Sequence, residues 1–274
     1  MLEAERIECV LEGARGVDWS VSVRDVGSGN PLVSVAAEEN RPIASVGKLL
    51  LLAEVARQIS EGGLSPSEPV RRLPDDLVTD SGIWQHLITD ELPVADLAAL
   101  VGAVSDNLAT NVLLRVIGLD SIDHRGVGQS YPGIRLLDRV RDERTTSNPP
   151  TLAIGTATEL SRFMADLMTG KVVSESASKM ILDWLALSAD HSMIAGAFFL
   201  DPLSHISSDH GVRLRNKTGT DFGVRADVGL VVPEDGAALT YAVLAEWNPE
   251  GPDLRDSALT CMRAIGSVLR ESVL

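Results

Sequence analysis

The sequence predicts an α/β fold: a five-stranded antiparallel sheet flanked by N- and C-terminal helices, with an all-helical lobe inserted into it. Three observations lead there. Strand patterning occurs near the start of the chain and returns only near its end, the long interval between is patterned as helices, and no internal repeat or low-complexity linker divides the chain. Both ends must therefore build one layer together. The expected boundaries are residues 1–41 with 205–274 for the discontinuous sheet lobe and 42–204 for the helical lobe.

Each element has its own signal. Leu2, Ile7, Val10 and Leu11 fall at helical spacing and Gly16 ends that run. Trp19 to Val23 alternates as a strand, residues 25–31 with Gly27, Gly29 and Asn30 read as a turn, and Leu32 to Ala37 as the returning strand. Ser45 to Ser60 is an apolar helix stopped by Gly62 and Gly63. Further helices are expected over 94–104, 107–118, 158–169 and 174–186. Strand character returns at 213–218, 227–232 and 239–246, before a closing helix over 254–269.

Composition narrows the function. A chain of 274 residues with 45% hydrophobic content buries a sizeable core, as one large domain or two intertwined lobes. A net charge of −15 without a basic stripe argues against a nucleic-acid partner, which requires clustered Lys and Arg. No apolar run reaches the ~18 residues that span a bilayer, the longest being broken by Glu54, Arg57 or Asp201, so no membrane partner is expected. The start, Met1 to Arg6, lacks the basic and apolar regions of a signal peptide; the sequence as it stands is expected in the cytoplasm, and in the periplasm or outside the cell if an export signal preceded it. Cys9 and Cys261 lack zinc or redox spacing and are expected as free, buried thiols. His86, His124, His191, His205 and His210 show no metal spacing and are expected at solvated or core-edge positions. The four tryptophans, Trp19, Trp84, Trp184 and Trp247, are expected in the core.

Three short motifs stand in order: Ser45-Val46-Gly47-Lys48, Ser105-Asp106-Asn107 and Lys217-Thr218-Gly219. A serine hydroxyl needs a base to become a nucleophile. Lys48, three residues on, shares a helix face with Ser45, and burial together with a neighbouring cation lets an amine lose its proton; Lys217 is the natural neighbour. Taken singly, the motifs have plainer explanations, with Ser45 as a helix cap, Lys48 reaching solvent, and Ser105 to Asn107 as a helix start.

Their order and spacing match the S-x-x-K, S-D-N and K-T-G set of class A β-lactamases and penicillin-binding proteins. From about Asn40 to about Val232 the chain resembles the serine β-lactamase superfamily, including the helical stretch Leu92 to Leu97 and Ser105 to Leu114. The resemblance implies a β-lactamase/transpeptidase-like fold with the active site between the lobes. It assigns catalytic roles to Ser45 as nucleophile, Lys48 as its base, Ser105 as proton relay and Lys217. Asn107, Thr218, Gly219, Thr220 and Arg225 become substrate-binding: Asn107 for an amide side chain, Thr218 and Arg225 for a carboxylate, Gly219 for close approach, and the backbone N–H groups of Ser45 and Thr220 for the oxyanion. Asp106 is expected to accept backbone N–H groups at a helix start. The resemblance also places the terminal helices side by side, which makes a disulfide between Cys9 and Cys261 conceivable. No metal or organic cofactor is implied, and a monomer acting on a small molecule is expected.

One departure stands out. The Glu-x-x-Leu-Asn motif, whose Glu activates the deacylating water in class A enzymes, is not found. Arg135 to Arg139 resembles the entry of that loop and Asp142 to Thr146 its exit; read without a gap, Arg141 takes the place of the Glu, and it cannot act as a base. Of the nearby carboxylates Asp138, Asp142 and Glu143, the last two are expected to pin the loop through ion pairs. A shortened loop would open the site. Asp80 or Trp84, on a segment resembling a wall of the family's active-site mouth, is a further candidate for substrate contact. The sequence thus predicts a serine hydrolase that forms an acyl-enzyme on Ser45 with a β-lactam or other small amide or ester, with slow or non-standard deacylation. The alternative is a non-hydrolysing penicillin-binding or sensor-like protein.

Overall fold

The computed structural model describes residues 2–123, 126–203 and 210–274. His124 and His205, and the expected lobe boundary at 204–205, lie outside the described residues.

The strands of the two chain ends form one antiparallel sheet in the order Pro31–Val35, Asp18–Asp25, Leu239–Glu246, Val224–Pro233, Val212–Asp221. Its register pairs Val21 with Val243 and Lys217 with Val228, so the K-T-G segment lies on an edge strand. The central strands are apolar on both faces because both are covered. Tyr241, Val243 and Ala245 pack with Ile7, Ile265 and Leu269 of the terminal helices Leu2–Leu11 and Arg255–Val273, while Ala242 and Leu244 pack with Leu160 and Phe163 of the helix Ala157–Met168. Side chains two apart share a face, so alternate residues feed two cores.

The second core fills the inserted lobe around the helix Lys48–Ser60, whose residues from Lys48 to Ala56 are all buried, with Val94–Val104, Asn107–Ile117 and Glu175–Leu185 packed about it. The lobe is not all-helical. Arg41–Pro42, Ala153–Gly155 and Ile134–Leu136 form a small three-stranded sheet, and Pro69–Arg71 pairs with Glu91–Pro93. Runs of two or three residues are too short to show alternation, so the sequence pattern passes over them. All four tryptophans are buried. Both cysteines are free thiols; Cys261 is buried as expected, whereas Cys9 is exposed, on the outer side of its amphipathic helix. Among the described residues no helix is long and apolar enough to cross a membrane.

Candidate active site

The first motif begins in strained backbone. Ile43 N–H is held by the Ala153 carbonyl at 3.0 Å, and Ala44 then takes φ 45°, a region that a Cβ disfavours. The chain runs through a 3₁₀ turn, Ala44–Gly47, before the α-helix starts at Lys48, three residues later than the sequence pattern suggests. Gly47 is required there, since a Cβ would sit 2.2 Å from Ala153 Cβ. Ser45 therefore does not cap the helix. In 3₁₀ geometry residues i and i+3 eclipse, so Ser45 and Lys48 still project to one side.

Lys48 is completely buried rather than reaching solvent. Its Nζ donates to Ser105 O at 2.7 Å, to Asn107 Oδ1 at 2.7 Å and to Ser105 Oγ at 3.2 Å. Lys217, 2% exposed, donates to Ser105 Oγ at 2.9 Å and to Thr218 O at 2.8 Å. Two amines thus meet on one hydroxyl. Burial, then the Lys217 cation, holds the Lys48 pKa well below the usual lysine range, and burial brings Lys217 down to about 8.

Ser105 reaches this position because it closes the helix Val94–Val104 in the left-handed region, φ 54°. Asp106, not Ser105, is the N-cap of the next helix: its Oδ1 accepts Ala109 N–H at 2.9 Å and its Oδ2 accepts Ile83 and Trp84 N–H at 2.8 Å each. Asp106 is therefore structural, as expected, and it also ties the 80–84 segment to the site. Asn107 donates its Nδ2 to Thr79 O at 3.2 Å.

On the facing strand, a Cβ at Gly219 would meet Ile43 O at 2.2 Å and Ser45 N at 3.2 Å, so only glycine lets the strand lie this close to the nucleophile turn. Thr218 Oγ1 donates to Asp190 Oδ2 at 2.7 Å. Burial alone would raise the Asp190 pKa, but hydrogen bonds from Thr218 and Ser192 hold it below the usual carboxylate range. Behind it, Asp227 is fully buried, accepts from Asn216 Nδ2 and Tyr241 Oη at 3.1 Å each, and is pushed up to about 7 by burial. The sequence reading missed both carboxylates. Asp227 was detectable as a lone acid in the apolar run Ala226 to Val232; Asp190 carries no local signal. Arg225 is not a surface charge but 8% exposed, its Nη1 donating to Asp221 O and Val224 O and its guanidinium 5.8 Å from the Trp247 ring centre.

A cleft of about 1520 Å³ opens between the two cores. Ser45, Ser105, Asn107, Lys217, Thr218, Thr220 and Arg225 all line it, with Lys48 and Gly219 behind the wall. Asp80 lines it as well, whereas Trp84 is fully buried in the core and does not. Single small-molecule sites run to roughly 1000 Å³, so this one is roomy.

The segment from Arg135 to Pro150 forms one rim. Asp138 accepts from Arg141 Nε and Nη2 at 2.7 and 3.0 Å, from Arg144 Nη1 at 2.8 Å and from Arg139 N–H at 2.8 Å. The ion pairs that hold this rim thus involve Asp138. Asp142 instead accepts Thr79 N–H and hydroxyl at 2.8 and 2.7 Å, and Glu143 lies exposed off the cleft lining. Asp142 is close to arginines in sequence, but its hydrogen bonds go to Thr79 in the segment before Asp80. His86 and His210 are exposed and His191 is half-buried; among the described residues no three His, Cys, Asp or Glu side chains gather as a metal site.

Comparison with known proteins agrees with this architecture. A β-lactamase from Streptomyces albus G is 27% identical over 265 residues, 94% of this chain and 81% of that protein. Among solved structures, a β-lactamase from Sphaerobacter thermophilus superposes with TM-score 0.84 at 20% identity, covering 98% of this chain and 97% of its own. The protein PBP-A superposes with TM-score 0.81 at 16% identity, covering 99% and 96%. A PBP-A variant in acyl-enzyme complex with penicillin G gives 0.79 at 17%, covering 99% and 95%. The model of the β-lactamase enzyme family matches residues 3–273. With a sheet built from both chain ends, an inserted lobe and that match over nearly its whole length, the chain belongs to the β-lactamase enzyme family and is a β-lactamase-like hydrolase.

Proposed function

We propose that this protein opens a β-lactam, or another small amide or ester, by forming an acyl-enzyme on Ser45. The observation that carries the proposal is the meeting of two buried amines on the Ser105 hydroxyl. Burial and the Lys217 cation favour the neutral form of Lys48, while Lys217, near 8, is largely charged at pH 7. The pair therefore supplies a base and an electrostatic anchor in one site. Lys48 Nζ takes the proton of Ser45 Oγ as that oxygen bonds to the substrate carbonyl carbon. The N–H groups of Ser45 and Thr220 receive the oxyanion. When the intermediate collapses, the C–N or C–O bond breaks, and Ser105, hydrogen-bonded to both amines, hands a proton to the leaving atom and is reprotonated from the lysines. Asn107 binds the acyl side chain, and Lys217, Thr218 and Arg225 bind a substrate carboxylate.

Release of the acyl group requires an activated water. Asp138 is occupied by two arginines, and Arg141 cannot be a base, so deacylation is slow in this account. The test is a time course of intact mass with benzylpenicillin alongside lactam absorbance. An adduct that outlives turnover supports the reading. Absence of both adduct and turnover for lactams and simple esters refutes it, and unchanged binding in Ser45→Ala without any reaction in the parent would make the protein a binder.

A further inference from the structure

The Asn107 side of the cleft carries charges that the acylation chemistry does not use. Asn107, assigned above to the acyl side chain, donates to Thr79 O, and Thr79 donates twice to Asp142 Oδ1. Arg141, next in the chain to Asp142, therefore stands on the Asn107 side of the cleft, which it lines. Its Nε and Nη2 are fixed by Asp138, which Arg144 and Arg139 N–H hold in turn, while its Nη1 makes none of the described hydrogen bonds. Asp142 Oδ2 and the Asp80 carboxylate line the same cleft and make none either. A braced guanidinium in the same cleft as carboxylate oxygens that accept none of the described hydrogen bonds is complementary to a group that carries both signs.

We propose that Arg141 determines acyl-side specificity, holding the carboxylate of a substrate side chain that ends in an α-amino acid, with Asp142 and Asp80 facing its ammonium. This rests on the acyl-enzyme reading. Arginine suits the role because a fixed planar fork binds carboxylate directionally. An apolar side chain placed there would desolvate Arg141 Nη1 and Asp142 Oδ2 without giving either a partner, so the site disfavours it.

Three cephalosporins with one nucleus test the proposal: cephalosporin C, with a D-α-aminoadipyl side chain, glutaryl-7-aminocephalosporanic acid, with a carboxylate alone, and cephalothin, with neither. Second-order acylation constants from intact-mass time courses should favour cephalosporin C over cephalothin by about tenfold to a hundredfold, the range of a charge-assisted hydrogen-bonded pair, with the glutaryl compound between them. That advantage should shrink several-fold between about 0.05 and 1 M salt. Arg141→Gln should reduce the cephalosporin C to cephalothin ratio about tenfold, and Asp138→Asn, which removes the brace, should reduce it in the same direction. Equal acylation of all three by the parent protein overturns the proposal without needing any variant to fold, as does an equal loss on all three in Arg141→Gln. Neither adduct nor turnover with any of them, nor with benzylpenicillin, instead refutes the acyl-enzyme reading on which it stands.

Discussion

Gly219→Ala places one methyl group where the strand Val212–Asp221 passes the nucleophile turn. The added Cβ would sit 2.2 Å from Ile43 O, 3.2 Å from the Ile43 carbonyl carbon and 3.2 Å from Ser45 N. All three neighbours are backbone, so no side chain can rotate away. Comfortable contact begins near ~3.5 Å, and the strand and turn must therefore part by about 1 Å. Overpacking of this kind costs about 1–3 kcal/mol, a fall in Tm of several degrees, on the order of 2–4 °C per kcal/mol for a chain of this size. The effect on chemistry should be larger. The strand and the turn each supply one N–H to the proposed oxyanion site, and a misplacement of about 1 Å costs roughly 10²-fold in rate. The assay is the second-order acylation constant with benzylpenicillin by intact mass, with thermal unfolding measured on the same samples. A folded Gly219→Ala protein acylated within about threefold of the parent refutes the claim that this contact sets the nucleophile's surroundings.

Two further outcomes follow from the buried charges. Lys217 lowers the Lys48 pKa, so in Lys217→Ala the acidic limb of the acylation pH profile should move to higher pH, on top of any loss of substrate binding; a limb that stays in place would mean that the two amines are not coupled. Asp227 has a folded pKa near 7 against an ordinary 3.8, so between those values the folded chain holds the proton more tightly than the unfolded one. Its contribution to stability is therefore lost as pH rises through that window, and Asp227→Asn should have a flatter profile of urea midpoints from about pH 4 to 7 than the parent, whereas parallel profiles would contradict the assignment.

The sheet was legible because strands at both ends of the chain carry long, regular patterns, and the K-T-G strand extends to Val212–Asp221, slightly past its expected limits of 213 and 218. The helix Ala157–Met168 was placed within a residue, since Thr156 and Glu159 supply a cap and the apolar face is continuous. What stayed hidden depends on contacts distant in sequence. The delayed helix start at Lys48 follows from Gly47 packing against Ala153, and the left-handed Ser105 from the need to bring its hydroxyl between two lysines. The three motifs named the side chains that meet in the cleft, but they gave no hint of Asp190 behind Thr218 or of the Thr79 to Asp142 clasp. Choosing between Asp80 and Trp84 required tertiary structure: an indole N–H bound to Thr89 O at 3.0 Å draws Trp84 into the core and leaves Asp80 at the cleft.

The central claim is that Ser45 is the nucleophile of the cleft, whose hydroxyl oxygen accepts the acyl group. Mixing the protein with benzylpenicillin, quenching in acid, digesting and sequencing the modified peptide by mass spectrometry tests it directly. The account predicts a single penicilloyl group on Ser45, absent from Ser45→Ala and formed far more slowly in Lys48→Ala. A modification at any other residue, or one that persists in Ser45→Ala, contradicts it.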